Sequence, residues 1–185
     1  MEALDALLNR VSLARLQEPA PDAAQREVLF RAALRAPDHG YLRPWRFLCI
    51  EGAAREKLGE LFVSAVLARD PHVPEAVTTK ARNMPMRAPL VVVVIARLQS
   101  GHKVPEVEQL LSAGCAAHSI LLAAHAQGLG AIWRTGEMAY DLNVAAGLGL
   151  AENERVVGFL YLGSAEGERR AAPELAPADF VQSWG

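Results

Sequence analysis

The spacing of apolar residues predicts a chain that alternates between helices and short strands. Apolar positions recur every three or four residues in segments 2–9, 22–34, 53–68 and 105–127, as in helices that bury one face. Mostly apolar runs at 46–51, 90–96, 131–134 and 156–162 have the length of strands, and a small helix is expected near Val144. The run LVVVVIA at 90–96 is typical of a central strand buried on both faces.

Several helix ends carry recognisable capping residues. Asp22 is the predicted N-cap of the second helix, with Gln25 in the capping-box position. Pro105 suits a first helical residue, and Gly128 suits a left-handed cap after Gln127. Because this 105–127 helix is apolar on every face and rich in small residues, we expect it to be buried, either as the axis of the monomer or against a partner chain.

A basic segment at 70–88 is harder to interpret. Prolines bracket it, and the pattern indicates a short helix in an exposed excursion. No site is predicted there.

Composition excludes several classes of protein. The 185 residues suit one domain, and a net charge of −2 does not indicate the basic surface of a protein that binds nucleic acid. No signal peptide is predicted, and the longest apolar segment, 120–131, is interrupted by polar residues and glycines, so no membrane span is predicted either. Cys49 and Cys115 lack metal spacing and are expected to be buried, reduced thiols in a cytoplasmic protein.

Familiar catalytic motifs are absent from the sequence. It contains no GxSxG, Walker or GxGxxG pattern. Cys115 and His118 could form an activated thiolate pair, but a small hydrophobic role for Cys115 in the core is favoured. His118 and His125 are too far apart along a helix to share one ion, and no third ligand lies nearby, so no metal site is predicted.

The loop RAPDHGYLRPWRF, residues 35–47, is dense in residues that bind ligands. Its prolines favour an ordered connection between helix and strand, and such a loop serves equally well as a binding site or as a simple connection. Three groups could bind an anion or a flat ring: Arg10 with Ser12, Arg35 with His39, and Trp133-Arg134-Thr135.

Four segments together carry a family resemblance. LLNRVS, LRAPDHGYLRPWRF, SAGCAAHSILLAAHAQGLGAIWRTG and VVGFLYLG, spanning residues 3 to about 163, resemble the nitroreductase family of flavoproteins and most closely its compact YdjA-like branch. The resemblance implies an α+β fold with a central, mainly antiparallel sheet flanked by helices. It also implies one domain over 1–185, in an intertwined homodimer with two FMN molecules at the interface. The tail 165–185 would dock on the partner subunit.

The resemblance also implies which residues hold the cofactor. Arg10, Val11 and Ser12 of one subunit would bind FMN, together with Trp133, Arg134 and Thr135, and the other subunit would contribute Arg35 and His39. The backbone N–H near Thr135 would face flavin N5. A nicotinamide nucleotide contact is implied at Ala123, Ala124, His125, Ala126, Gln127 and Gly128.

Three positions depart from the family pattern. Val11 stands where an arginine is common, and Tyr41 and Arg43 stand where the family has amide side chains. These positions bear on flavin affinity and substrate preference.

The implied activity is that of an FMN-dependent oxidoreductase. It would take hydride from NADH or NADPH onto flavin N5 and pass electrons to a nitroaromatic, quinone or similar small acceptor in ping-pong order. A flavin-binding carrier or sensor without turnover is the alternative. Dehydrogenation of a small heterocycle or cleavage of the flavin itself is a third possibility.

Overall fold

The computed structural model describes residues 1–167 and 170–185. Within them lie helices α1 (Ala3–Asn9), α2 (Ala23–Ala33), α3 (Ala53–Arg69), α4 (Glu75–Asn83), α5 (Glu106–Ala126) and α6 (Leu142–Gly147). The strands are β1 (Leu16–Gln17), β2 (Trp45–Glu51), β3 (Leu90–Arg97), β4 (Gly130–Arg134) and β5 (Glu154–Ala165). Each predicted helix and strand is therefore present, with ends that shift by a few residues.

Every neighbouring pair of strands in the sheet is antiparallel. Residues 159–162 of β5 pair with both β3 and β4, so these two strands flank β5. β2 pairs with the far side of β3, which gives the order β4-β5-β3-β2, and β1 pairs with the last two residues of β5. The predicted α+β fold with a central, mainly antiparallel sheet is confirmed.

The sheet is covered by helices on both faces. On the face that we call the α5 face, α2 and α5 pack against Leu90, Val92 and the alternate residues that follow them in β3. On the opposite α3 face, α3 and α6 pack against Val91, Val93 and Ile95. The central strand is thus buried on both sides, which explains why its sequence is apolar without alternation.

Small residues let α5 lie close to the sheet. Ala113, Ala116 and Ala117 are fully buried, whereas Val107 and Leu111 on the outer side are 61% and 64% exposed. By length and hydropathy α5 could cross a membrane, but this inner side packs into the core. The expectation that the helix is buried is therefore correct for one side only.

The prediction that both cysteines are buried is wrong. Cys49 and Cys115 are exposed. Cys115 lies on the outer side of α5, and Cys49 lies on β2, which within the described residues has a strand neighbour on one side only. A favoured core role for Cys115 is excluded for the same reason.

Local capping follows the sequence closely. Asp22 Oδ1 accepts a hydrogen bond from Gln25 N at 2.8 Å, and Gln25 Oε1 accepts one from Asp22 N at 2.9 Å, so the predicted capping box is confirmed. Gly128 has the expected positive φ of 80°. Pro105 is the N-cap of α5 rather than its first helical residue.

The segment 70–88 contains the predicted short helix and most of its residues are exposed, but one side of it packs against the core. It forms α4 and a single 3₁₀ turn at Pro85–Arg87, and Ala81 and Ala88 are buried where this segment meets the α3 core. Two alanines were too weak a signal, beside the prolines and basic residues, to show a buried side. This packing brings Arg87 to the site described next.

Candidate active site

A pocket of about 300 Å³ opens on the α3 face beside the end of β4. Its apolar wall includes Phe62 of α3 and Phe159 of β5, whose rings meet edge to face with centroids 5.5 Å apart. Tyr161, two residues along β5, lies on the same face and also lines the pocket. The strand alternation therefore places aromatic rings in a row along one side of the cavity.

Two arginines enter this pocket from different elements. Arg134 is the last residue of β4, and Arg87 ends the 3₁₀ turn before β3. The guanidinium carbon of Arg134 lies 6.0 Å from the centre of the Tyr161 ring, within the range of a cation–π contact. We call the space lined by Arg87, Arg134 and Tyr161 the arginine pocket.

Neither arginine is neutralised by a carboxylate of the residues that the structure describes. The buried Nε of Arg134 has no hydrogen-bond partner in the described part of the chain. The guanidinium of Arg87 likewise forms no hydrogen bond or ion pair with residues 1–167 or 170–185. Two acidic residues that follow β4, Glu137 and Asp141, bind Arg69 instead, at 2.6 and 3.3 Å.

Tyr161 stays protonated in this setting. Burial raises the pKa of its phenol, and the positive charges of Arg87 and Arg134 oppose that rise to a smaller extent. At neutral pH the phenol is therefore uncharged. A neutral phenol adds no negative charge that would offset the two arginines of the pocket.

The side chains of β4 alternate between the two faces of the sheet. Trp133 points to the α5 face, where its Nε1 donates to Val157 O at 3.3 Å. Gly158 makes room for this indole, because a Cβ at position 158 would overlap it. Thr135 and Gly136 follow in an exposed turn that lines the pocket, with φ of 60° at Gly136. Of the three predicted residues at this turn, Arg134 and Thr135 reach the pocket and Trp133 does not.

The predicted residues Arg10, Val11 and Ser12 lie beside β4. They follow α1 directly, and the next residue, Leu13, donates its N–H to Ala131 O at 3.0 Å. Arg10 and Val11 are half-buried and Ser12 is exposed. This segment and the Arg134 turn thus belong to the same edge of the sheet.

Arg35 and His39 lie at the opposite edge, in the loop before β2. His39 Nδ1 is 2.7 Å from Glu108 Oε2, which ties the loop to the first turn of α5. Between β4 and β2 stand β5 and β3, so the two edges are three strand spacings, or about 14 Å, apart. One chain does not bring Arg35 and His39 together with Arg134 and Thr135.

The same loop holds two residues in a rarely occupied backbone conformation. Tyr41 and Arg43 have φ of 56° and 48°. Asp38 Oδ2 accepts a hydrogen bond from Arg43 N at 2.7 Å and helps to fix this shape. Positive φ in residues other than glycine costs energy and concentrates at functional sites. Both residues are among the positions that depart from the family pattern.

The predicted nucleotide-binding segment, Ala123 to Gly128, lies at the carboxyl end of α5. Ala124 and His125 are buried, and Gln127 Nε2 donates to Gln25 O of α2 at 3.3 Å. None of these residues lines the arginine pocket. The negative end of the helix dipole also opposes a pyrophosphate at this position.

Sequence reasoning missed Arg87. No site is predicted in the segment that contains it, because bracketing prolines and basic residues indicate a short helix in an exposed excursion. Its place directly before the central strand was the available signal, since that position puts a side chain beside the end of the sheet.

The comparisons with known proteins agree with this architecture. A model of the Nitroreductase family matches residues 9–164. The protein described as "Putative NAD(P)H nitroreductase YdjA" of Escherichia coli (strain K12) is 44% identical over 164 residues, covering 89% of this chain and 88% of that protein.

Solved structures share the fold. The "Nitroreductase-like Family Protein from Bacillus cereus" superposes with a TM-score of 0.84 at 19% identity, covering 100% of this chain and 96% of that one. A mutant of the "FMN and NADPH-dependent nitroreductase NfnB" from sphigopyxis sp. strain HMH has a TM-score of 0.80 at 18% identity, with 100% of both chains covered. From its sequence and its fold, the chain belongs to the nitroreductase family.

Proposed function

We propose that this protein is an FMN-dependent oxidoreductase of the cytoplasm. It takes hydride from NADH or NADPH and passes electrons to a small acceptor such as a nitroaromatic compound or a quinone. The observation that carries the proposal is the turn Arg134–Gly136, where unpaired polar groups border an aromatic pocket in a chain of this family. The related protein from Escherichia coli is named for NAD(P)H, and NfnB is described as dependent on FMN and NADPH.

The residues at the β4 edge suit a flavin. Arg10 and Ser12 offer a guanidinium and a hydroxyl for the phosphate. Thr135 and Gly136 present exposed backbone at the pocket mouth, where an N–H can donate to the ring. When bound, FMN supplies a ring that accepts hydride at N5. Trp133 packs on the α5 face, and its hydrogen bond to Val157 O ties the end of β4 to β5.

The protein's own part in this chemistry is binding and orientation. Arg134 places positive charge beside the ring, where it stabilises negative charge as the ring is reduced. The aromatic wall of Phe62 and Phe159 excludes water from the acceptor. No side chain has to act as a nucleophile or as a general acid.

A homodimer would complete the site. In one chain Arg35 and His39 lie at the wrong edge of the sheet for the β4 turn, so a second chain has to supply them. Apolar surface suited to such an interface is present: Leu4, Leu7 and Leu8 of α1 are 69%, 55% and 72% exposed. With the exposed outer side of α5, they form the proposed interface.

The tail fits the same proposal. Phe180 and Trp184 are 71% and 101% exposed on a single chain. Large aromatic side chains at a terminus gain stability when they dock. We assign their docking surface to the partner subunit; residues 168 and 169 of this tail lie outside the described part of the chain.

A flavin titration tests the cofactor and the shared site together. Purified protein should bind FMN, and Arg35→Ala and His39→Ala should weaken that binding, whereas Arg31→Ala, an exposed arginine one helical turn before Arg35, should leave it unchanged. Anaerobic NADH or NADPH should then bleach the bound flavin. Binding without bleaching would support the carrier or sensor, and absence of FMN binding would exclude both functions.

Mixed dimers test whether two chains share each site. An Arg10→Ala chain paired with an Arg35→Ala chain has one site that carries both substitutions and one site that carries neither. If the site is shared, co-purified mixed dimers recover tight binding in one of two sites, while each variant alone recovers none. If each chain holds FMN alone, mixing restores nothing.

A further inference from the structure

The arginines of this protein differ in whether they have an acidic partner. Arg26, Arg46, Arg69 and Arg82 each form an ion pair with a glutamate at 2.6 Å. Arg87 and Arg134 form none with the described residues, although both are half-buried. Desolvating a guanidinium without a partner costs free energy, so two such groups facing one cavity point to a ligand with negative charge.

The pocket walls show what else that ligand contains. Phe62, Phe159 and Tyr161 form an apolar, ring-lined side, while Thr135 adds a hydroxyl at the mouth. Among the residues that the structure describes, no aspartate or glutamate lines the cavity, so none of them repels an anion there. A volume of about 300 Å³ lies at the lower end of the range for ligand pockets, which suits a molecule of one ring and not a whole dinucleotide.

We propose that the arginine pocket binds the carboxylate or another acidic group of an aromatic second substrate. This inference rests on the proposed function, because it names the class of acceptor that the enzyme prefers: aromatic acids over their neutral analogues. Arg87 determines this specificity from outside the predicted flavin contacts. Arg134 serves both the flavin turn and the acid.

The geometry explains why two arginines are used. The guanidinium carbon of Arg134 lies 6.0 Å from the centre of the Tyr161 ring, a contact that favours this position of the group before a ligand binds. Arg87 stands on a turn that Pro85 and the buried Ala88 anchor to the core. Two planar guanidinium groups that project from different elements can bind both oxygens of a carboxylate. A lysine or a single mobile arginine binds a carboxylate less well.

The test compares 4-nitrobenzoate with its neutral analogue 4-nitrobenzamide on the FMN-loaded protein. In the assay one NADPH and one proton convert the nitro group to a nitroso group with release of water. Wild type should bind the acid more tightly by calorimetry and reduce it with the higher kcat/KM. Arg87→Gln should lower the acid-to-amide ratio of kcat/KM about 10- to 100-fold, chiefly through KM, as expected for loss of a charge-assisted hydrogen bond.

Two further variants separate local contact from general charge. Arg87→Lys keeps the charge but loses the fork, and should lower the ratio by less than Arg87→Gln. Arg82→Gln removes the same charge from a surface residue that is paired with Glu60, and should leave the ratio unchanged. Equal losses in Arg82→Gln and Arg87→Gln would overturn the proposal, since net charge would then explain the effect.

Other outcomes would reassign the pocket. If Arg87→Gln weakens binding of FMN but not of riboflavin, the pocket holds the cofactor's phosphate and the proposal is wrong. If it raises the KM of NADPH and spares that of the acid, the nucleotide is the ligand instead. Bound FMN that neither NADH nor NADPH bleaches contradicts the proposed function, and calorimetry with 4-nitrobenzoate still decides whether the acid binds.

Discussion

Two groups of arginines at opposite parts of the sheet have opposite surroundings. In the Glu154 cluster, Arg46 of β2 and Arg97 of β3 converge on Glu154 of β5. The Arg46 fork is bidentate, with Nε at 2.7 Å from Oε1 and Nη2 at 2.6 Å from Oε2. In the arginine pocket, Arg87 and Arg134 face aromatic rings and find no carboxylate among the described residues.

The contrast separates structural arginines from binding arginines. Glu154 also accepts a hydrogen bond from Ala151 N at 3.1 Å, so its carboxylate is saturated and the cluster joins three strands. Among the described residues, Arg87 and Arg134 form no ion pair that links strands in this way. Their guanidinium N–H groups therefore stay available to a ligand. A site for an anion needs such unsaturated donors, and the rest of the fold has to supply the stability that they do not.

The largest expected effect is on the Glu154 cluster. Glu154 is 8% exposed, and Glu154→Ala leaves Arg46 and Arg97 without their counterion. Breaking a buried pair from one side costs about 3–5 kcal/mol, and the partial exposure of Arg46 reduces this to about 2–3 kcal/mol of the free energy of unfolding. Urea denaturation followed by circular dichroism measures it. Glu60→Ala, which breaks the exposed pair with Arg82, should cost below about 1 kcal/mol; equal losses would contradict the contrast.

Acid should remove the same stabilisation. The hydrogen bond and charge of Arg46 lower the pKa of Glu154 below its ordinary 4.5. A lowered folded-state pKa means that the contribution is fully present above pH 4.5 and is lost as pH falls through the folded-state value. Urea unfolding at steps from about pH 7 to about pH 3 should therefore show the gap between wild type and Glu154→Gln narrowing only below pH 4.5. A constant gap would show that the pair does not produce it.

Local patterns explain how much of the fold was predictable. The β-branched run of β3 and the capping box of Asp22 and Gln25 are properties of adjacent residues, and both were predicted correctly. The partner of Arg46 is 108 residues away along the chain, so no local pattern indicates it. The prediction that Cys115 is buried was wrong for a similar reason. Cys115 has apolar neighbours in sequence but lies on the outer side of α5.

The site shows the same limit. Arg134 and Thr135 were found through a family motif, and the structure places both at the pocket. Arg87 belongs to no motif, and its importance depends on how α4 packs against α3. Strand alternation places the adjacent residues Trp133 and Arg134 on opposite faces of the sheet, but the sequence does not show what each face contacts.

An intermediate effect is expected at Asp141, which lies next to the pocket but behaves like the structural group. Its Oδ1 caps α6 by accepting from Asn143 N at 2.8 Å, and its Oδ2 pairs with Arg69. Asp141→Ala should lower the free energy of unfolding by about 1–2 kcal/mol, the usual cost of a lost cap. Asp141→Asn retains a capping oxygen and should recover most of the loss in a urea titration. No recovery would assign the loss to the ion pair with Arg69.

The smallest effect on stability should come from Arg87→Gln. Since the Arg87 guanidinium has no ion pair within the described residues, its loss removes no stabilising contact and relieves repulsion from Arg134. The free energy of unfolding should change by less than about 0.5 kcal/mol, with an increase as the favoured sign. Arg46→Gln is the matched control and should cost several times more, because it strips Glu154 of its main partner. Equal destabilisation by Arg87→Gln and Arg46→Gln would contradict this contrast. It would show that Arg87 is a structural arginine, and the argument that the pocket binds an anionic ligand would then fail.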